Sequence, residues 1–486
     1  MELVSREREE TPVSVEGLNQ AVEKMRAHGM NEVSIASFSR LYHSWESDAS
    51  GWIKESDVAP LTDIQNIQDV MGAIDRCQAT DALAHTAFLK LNGGLGTSMG
   101  LSQAKSLLPV RVHKGRKLRF LDIILGQVMS ARKRLGIRLP IVFMDSYRTS
   151  KDTMDIIKTT KGFEQKDIPV EILQNREPKI LPDGTPASWD ANPDLEWCPP
   201  GHGDLFPALA ASRLLDKLQE NGVKYLFISN SDNLGARPST TVAGYFAQSG
   251  APFMMEVARR TPSDVKGGQI VRDCATGRLM LREMSQVQPE DMKSAMNIER
   301  HAYFNTNNLW ARVDALKEKL DSNEGILPLP VITNHKTVDP TDPVSDAVIQ
   351  LETAMGAAIG QFDGSICLEV GRPRFLPVKT TNDLFIMRSD RFHMTDSFEM
   401  EDSNYVFPVI NLDKRYYKNI ADFDARFPYG IPSIAAANSV SVTGDWTFGK
   451  NITFFGDAAL SDGGKAAYVP QGQFVGPNGI EDNDWE

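Results

Sequence analysis

The sequence predicts an α/β protein with a helical segment at its N-terminal end and a β-rich segment at its C-terminal end. Three observations carry this. Short apolar runs alternate with helical stretches through the middle of the chain. A loop with four glycines in eight residues follows one of those runs. Toward the C-terminus, apolar residues recur every six positions. At 486 residues the chain exceeds one ordinary core, so it divides into three expected domains: 1–55, 56–390 and 391–486.

Residues 1–55 read as two helices. Ser14 is placed to cap the first, in which Leu18, Ala21, Val22 and Met25 share a face, and Gly29 can end it. The second carries Ile35, Phe38, Leu41, Tyr42 and Trp45. No chemistry-bearing pattern falls here, so a packing or interaction appendage is expected. From 56 to 390, strands are expected at 87–91, 141–144, 170–173, 225–228 and 252–257, with helices at 118–134 and 205–219. Such alternation argues for a mostly parallel sheet covered on both faces, with ligands beyond the carboxyl ends of the strands. A hairpin, 269–273 with 278–282 around Thr276-Gly277, interrupts it. In the last segment Val442, Phe448, Phe454 and Leu460 are six apart, as are Val440, Trp446, Ile452 and Ala458. Two apolar positions per hexad are what a parallel β-helix coil needs on its inner faces; two ordinary strands are the plainer alternative. Residues 391–440 are aromatic and irregular, without a pattern.

Net charge is −12 at pH 7, which argues against nonspecific nucleic-acid binding. The run Arg111, Lys114, Arg116, Lys117, Arg119 is either a local phosphate site or a solvated helix start. Cys77, Cys198, Cys274 and Cys367 form no CxxC pair, so a zinc knuckle is not expected, and their wide spacing fits a reducing compartment. Glu2 to Glu10 is charged without an apolar signal core, no apolar run reaches membrane-spanning length, and the chain closes on Asp484-Trp485-Glu486 rather than a peroxisomal tripeptide. A cytoplasmic protein with no membrane or nucleic-acid partner is expected.

The glycine loop is Leu91-Asn92-Gly93-Gly94-Leu95-Gly96-Thr97-Ser98-Met99-Gly100, with Lys105-Ser106 beyond it. Glycines let a backbone approach a ligand closely, consecutive amides can form an anion nest, and a lysine adds a point charge suited to phosphate. This reads as a nucleoside triphosphate cradle. It is not a Walker loop, because Leu-Ser-Gln-Ala separates Gly100 from Lys105, and it is not the dinucleotide fingerprint, because Met99 stands at the third glycine. The extended form L-N-G-G-L-G-T-S-M-G…K-S resembles the loop of eukaryotic-type UDP-glucose pyrophosphorylases (UTP–glucose-1-phosphate uridylyltransferases). The amino-sugar pyrophosphorylases carry Thr-Arg where this chain has Thr97-Ser98. One departure is Gln103-Ala104, where family members often have Gly-Pro before the lysine.

Further segments match the same family in the same order. Gln174 follows an expected strand; its amide can donate and accept at once, and the resemblance makes it the uracil reader. In Pro199-Pro200-Gly201-His202-Gly203-Asp204, a turn with Asp204 as helix cap is the plain reading. The resemblance adds that Gly201 contacts the base through its backbone and that His202 faces the sugar phosphate as a hydrogen-bond donor. Asp232, in the acidic turn after 225–228, is either an Asx-turn residue or a ligand of Mg²⁺, a hard cation that prefers oxygen. The resemblance makes Asp232 the metal ligand and puts Asn230 near the nucleotide. It assigns Asn305 and Asn307 to the hexose. Lys379, the one lysine in the apolar strand-like stretch 375–383, is either a surface lysine or, by resemblance, the catalytic cation at the α-phosphate. Lys105 joins it as a catalytic candidate, and Leu91, Asn92, Gly93 and Gly94 join the nucleotide-binding set. Lys266 also stands in a family-like motif, with no role attached.

The resemblance implies a Rossmann-like, GT-A-like nucleotidyltransferase domain with a left-handed parallel β-helix at its C-terminal end. The implied reaction is reversible uridylyl transfer: UTP and glucose 1-phosphate give UDP-glucose and pyrophosphate, with Mg²⁺ as cofactor. The alternatives are a broad UDP-sugar or UDP-N-acetylhexosamine pyrophosphorylase, a non-catalytic UDP-sugar binding protein, or a GT-A-like glycosyltransferase, which leaves the lysine-bearing loop unexplained. Self-association through the β-helix is a further expectation.

Overall fold

The computed structural model describes residues 15–47, 51–261, 264, 267–402 and 405–481. Ser14 and Lys266 lie outside the described residues. At the centre is strand Thr86–Leu91, buried along nearly its whole length because helices cover both faces of its sheet. Tyr225–Asn230 and Ile141–Asp145 flank it, both parallel, and Glu171–Leu173 continues the sheet beyond Ile141–Asp145. On the other side Tyr303–Arg312 runs antiparallel to both of its neighbours, Tyr225–Asn230 and Phe253–Arg259. Ile366–Glu369 and Gln65–Asn66 then resume the parallel direction. Along this eight-strand path the sheet is parallel except for one long strand, which carries Asn305 and Asn307. The expected hairpin forms as Gln269–Asp273 and Leu279–Arg282, joined to that strand at Gln269 and Phe304.

Alternating side chains divide the core in two. Phe88, Phe227 and Trp310 point to one face, where they stack edge-on and tilted beneath helix Phe120–Leu135. Ala87, Leu89, Leu226 and Ile228 point to the other, against Leu205–Ser212, Leu214–Glu220 and Val313–Asp321. Two helix expectations need correction. The long helix begins at Phe120, not 118, because Arg116–Arg119 pairs antiparallel with Pro109–His113. The turn between them, Lys114-Gly115, has positive φ at both residues (48° and 76°), as a tight hairpin requires. The basic run therefore forms a hairpin and not a helix start. Arg111 spends its guanidinium on the carbonyls of Met387, Ser389 and Phe392, and Arg119 pairs with Asp122. The second helix breaks at Arg213, which adopts φ 54°.

The C-terminal segment stacks Val409–Leu412, Ser433–Thr443, Thr453–Ser461 and Phe474–Gly476 as parallel rungs, and Trp446–Phe448 pairs in parallel with Ala467–Val469 on a second wall. Val440 lies beside Ala458 and Val442 beside Leu460, one coil apart. All eight hexad residues are buried. The irregular 391–440 stretch holds short helices Lys414–Tyr417 and Ile420–Arg426, and Phe427, just past the second, stacks on Phe448 at 4.9 Å. The core under the sheet runs without a break into these coils.

The N-terminal helices form as expected, at Val15–Ala27 and Glu32–Glu46. Their apolar face packs on Ile180, Trp197, Ile349 and Leu351, and Tyr42 donates to the Gly184 carbonyl at 2.9 Å. Among the described residues no helix is long and apolar enough to cross a membrane, and the four cysteines are free, Cys198 and Cys367 buried.

Phe448→Ala removes a fully buried ring from the stack with Phe427 and Phe454. The expected cost is roughly 3–5 kcal/mol. Urea unfolding followed by fluorescence checks it; an unchanged midpoint excludes this stack as the coil's anchor.

Candidate active site

The carboxyl ends of Thr86–Leu91, Ile141–Asp145, Glu171–Leu173 and Tyr225–Asn230 lie side by side, and a cavity of about 280 Å³ opens beyond them. Leu91, Asn92, Gly93, Gly94, Lys105, Gln174, Gly201, His202, Asn230 and Asp232 all line it. The parallel register explains the convergence: each strand of this set delivers the residues just past its end to the same edge. Lys379, Asn305 and Asn307 do not line the cavity.

The glycine loop folds back on itself, with the Lys105 amide donating to the Gly94 carbonyl at 3.0 Å. That return carries the Lys105 ammonium to Asp232, where Nζ donates to Oδ2 at 2.7 Å. The other carboxylate oxygen, Asp232 Oδ1, is buried without a hydrogen-bond partner. Asn92 is turned inward. Its Nδ2 donates to Asp145 Oδ1 at 2.7 Å and to Thr153 Oγ1 at 2.8 Å, so its amide holds the loop in place.

Gln174 is held between two glycines. Its Nε2 donates to the Gly201 carbonyl at 2.9 Å, and a Cβ on Gly93 would stand 2.5 Å from its Oε1. Gly201 itself has φ 76° and ψ 178°, and a Cβ there would lie 2.6 Å from the Thr353 carbonyl. Only glycine adopts that backbone comfortably. Asp204 does not cap the following helix through its side chain. It accepts instead from the backbone and side-chain amides of Asn175, at 2.7 and 2.9 Å, tethering the segment that carries Gln174. Burial pushes the Asp204 carboxyl up to about 7. His202 Nδ1 accepts from the Met355 amide at 3.0 Å. The ring proton is therefore on Nε2. Burial, with the nearby Lys379 charge, pushes the imidazole down to about 4, so His202 is a neutral donor at neutral pH.

Lys379 is not in a strand and not buried. It is exposed, directly before helix Thr381–Arg388, whose capping box uses Thr380 and Asp383. A residue that must hand its N–H to Asp383 cannot also continue a ladder, which is why the apolar stretch stops there. The segment is nevertheless fastened to the site: the Val378 amide donates to the Asp232 carbonyl at 3.1 Å. Asn305 and Asn307 bond each other, Nδ2 to Oδ1 at 2.7 Å, across a bulge in which Asn307 has φ 58°. Sequence reasoning missed Glu283. Its carboxyl packs against Gly268 at the end of the hairpin; burial pushes it up and Lys379 pulls it down. Its only signal in sequence was an acid at the end of an apolar hairpin strand.

Asp145 underlies the loop. Its Oδ1 accepts from Asn92, Thr149 and Thr153 at 2.7, 3.1 and 2.9 Å. Burial, reinforced by the neighbouring Glu171, pushes its carboxyl up to about 7. A carboxyl raised in the folded state favours folding below its unfolded pKa of about 4, and that contribution is lost as pH rises through about 7. An Asn oxygen can accept the same three donors without the charge. Asp145→Asn is therefore expected to gain stability relative to the parent at pH 7.5 more than at pH 5. Urea unfolding at both pH values checks this; an equal difference at the two removes Asp145 as the titrating group.

Comparison with known proteins agrees with this geometry. Residues 35–454 match the family model described as UTP–glucose-1-phosphate uridylyltransferase. The chain is 34% identical to the barley (Hordeum vulgare) UTP–glucose-1-phosphate uridylyltransferase over 94% of its own length and 95% of that protein. With the Saccharomyces cerevisiae enzyme of the same name it shares 37% over 81% and 77% of the two chains. A UDP-glucose pyrophosphorylase variant from Leishmania major, solved in complex with UDP-glucose, superposes with a TM-score of 0.88 at 37% identity, covering 96% of this chain and 99% of that one. With the family model matching most of its length and a relative 34% identical over 94% of it, the chain belongs to the UTP–glucose-1-phosphate uridylyltransferase family.

Proposed function

We propose that the cavity at the strand ends binds UTP and glucose 1-phosphate and that its own residues promote direct in-line attack of the sugar phosphate on the α-phosphorus. The overall reaction follows from family membership: UTP and glucose 1-phosphate give UDP-glucose, with pyrophosphate as the other product of the balanced equation. The observation that carries the mechanistic reading is the Lys105–Asp232 pair, 2.7 Å apart between the glycine loop and the end of Tyr225–Asn230. A triphosphate laid on the loop draws Lys105 onto its oxygens and frees Asp232 for a cation.

The nucleophile needs no base. A phosphate monoester has a second pKa near 6, so the attacking oxygen is already largely anionic at neutral pH. His202, neutral and with its proton on Nε2, donates to the sugar phosphate and does not abstract. The barrier lies in joining two polyanions, and it is lowered by preorganised donors: the amides of Gly93 and Gly94, Lys105, and Lys379 at the α-phosphate. Gln174 and the Gly201 backbone read the uracil edge, with Leu91, Asn92 and Asn230 completing the nucleotide side. Asn305 and Asn307, with Glu283, offer neutral and anionic groups to hexose hydroxyls.

Asp232 fits Mg²⁺. Its buried Oδ1 has no partner, and among the described residues no group of three or more His, Cys, Asp or Glu side chains is arranged as a cage. A single carboxylate with phosphate oxygens and water is the usual Mg²⁺ arrangement at nucleotides, and a bound ion neutralises charge developing between the phosphoryl groups. We further propose a division into 1–55, 56–390 and 391–486, a left-handed parallel β-helix in the C-terminal part that can serve self-association, and a cytoplasmic location.

Pyrophosphate release from UTP with Mg²⁺ tests the reading, measured across glucose, galactose and N-acetylglucosamine 1-phosphates. Release mainly with glucose 1-phosphate is expected. Lys379→Ala is expected to lower turnover roughly 10²-fold, the scale of one lost preorganised donor; turnover near the parent's removes Lys379 from the α-phosphate.

A further inference from the structure

Asp232 and Lys379 both sit on irregular segments, and both segments hang from one buried polar cluster. Glu256, on the central part of Phe253–Arg259, is fully buried. Its Oε1 accepts from Trp310 Nε1 at 2.9 Å and from Arg374 Nη2 at 2.6 Å. Its Oε2 accepts from Arg374 Nε at 2.9 Å and from Asn308 Nδ2 at 3.1 Å. The Arg374 carbonyl accepts from the side-chain amides of Asn308 and Asn233, at 3.1 and 3.2 Å. Asn233 Oδ1 accepts from the Gly235 and Leu376 amides, at 3.1 and 2.8 Å. None of these side chains keeps a buried, unpartnered polar atom.

Stability alone does not account for such a cluster. Replacing a buried ion pair with apolar groups is often neutral or stabilising, because desolvation offsets the Coulombic gain. Its hydrogen bonds instead fix where two loops stand. Asn233 follows Asp232 directly and bridges to Pro377. Leu376 and Val378, held by Asn233 Oδ1 and the Asp232 carbonyl, lead directly into Lys379. One side chain thus ties the acidic turn to the lysine segment, and the strands anchor both.

We infer that Asn233, braced by Asn308, Glu256 and Arg374, is a positioning residue for uridylyl transfer, setting the relative placement of Asp232 and Lys379. This rests on the roles assigned to those two residues above. Small misplacements of reacting groups cost rate steeply, on the order of 10²-fold per ångström. Asn233→Ala is expected to lower kcat by roughly 10-fold or more, with a smaller change in KM for UTP and a raised Mg²⁺ requirement. A double variant with Lys379→Ala is expected to lose less than the product of the two single losses, since both act through one group. Asn308→Ala, measured the same way, decides the matter should Asn233→Ala fail to fold. A folded variant with kcat within twofold of the parent and only a lower unfolding midpoint overturns the inference, as does a strictly multiplicative double loss. Asp232→Asn and Lys379→Ala are assayed alongside. Near-parental turnover in both overturns the site reading and with it this inference; losses there with normal turnover in Asn233→Ala overturn the inference alone.

Discussion

A protein of net charge −12 that handles polyanions must build a local exception to its own field. The Lys105–Asp232 pair is that exception in its resting form. The two charges pair at 2.7 Å through Asp232 Oδ2, so neither ion is isolated in the partly buried cleft, while Oδ1 stays without a partner. The pair also determines what must surround it. The loop has to return from Gly94 to bring Lys105 across, and Tyr225–Asn230 has to end where its next residues meet that lysine. Both conditions follow from two adjacent parallel strands in register.

Burial then sets the charge of what lies around the pair. Asp145 and Asp204 are pushed up to about 7 by desolvation, so their negative charge is partly withheld at neutral pH. His202 is pushed down to about 4 and stays neutral. These groups act as fixed hydrogen-bonding elements under the Gly93 and Gly201 loops. That division suits a reaction in which no proton needs to be removed from the nucleophile.

The flanking segments extend the same core. The aromatics under the sheet continue through Phe385 and Phe427 into the C-terminal coils, and Asn419 touches the glycine loop at Gly100. At the other end, Asn31 donates to Asn175 at 2.9 Å, next to Gln174. Both flanking segments therefore bear on loops that line the cavity.

Local chemistry made much of this legible. Several strands of the sheet, the two N-terminal helices and the inward hexad residues follow from apolar period, which is set by backbone geometry alone. The glycine loop stands out because close backbone approach restricts residue type, whereas Gln174, Gly201, His202 and Asp232 are picked out by family resemblance. Where a side chain's surroundings come from distant segments, sequence was silent. The antiparallel course of Tyr303–Arg312, the exposure of Lys379 and the inward turn of Asn92 depend on neighbours far along the chain. Glu256, Arg374 and Asn233 read as ordinary polar residues until folding brings 256, 374 and 233 together. The sequence by itself, through local pattern and family resemblance, singled out the candidate residues for the chemistry. The tertiary structure alone decided which of them face the cavity and what charge they carry there, because burial and pairing are properties of contacts between segments.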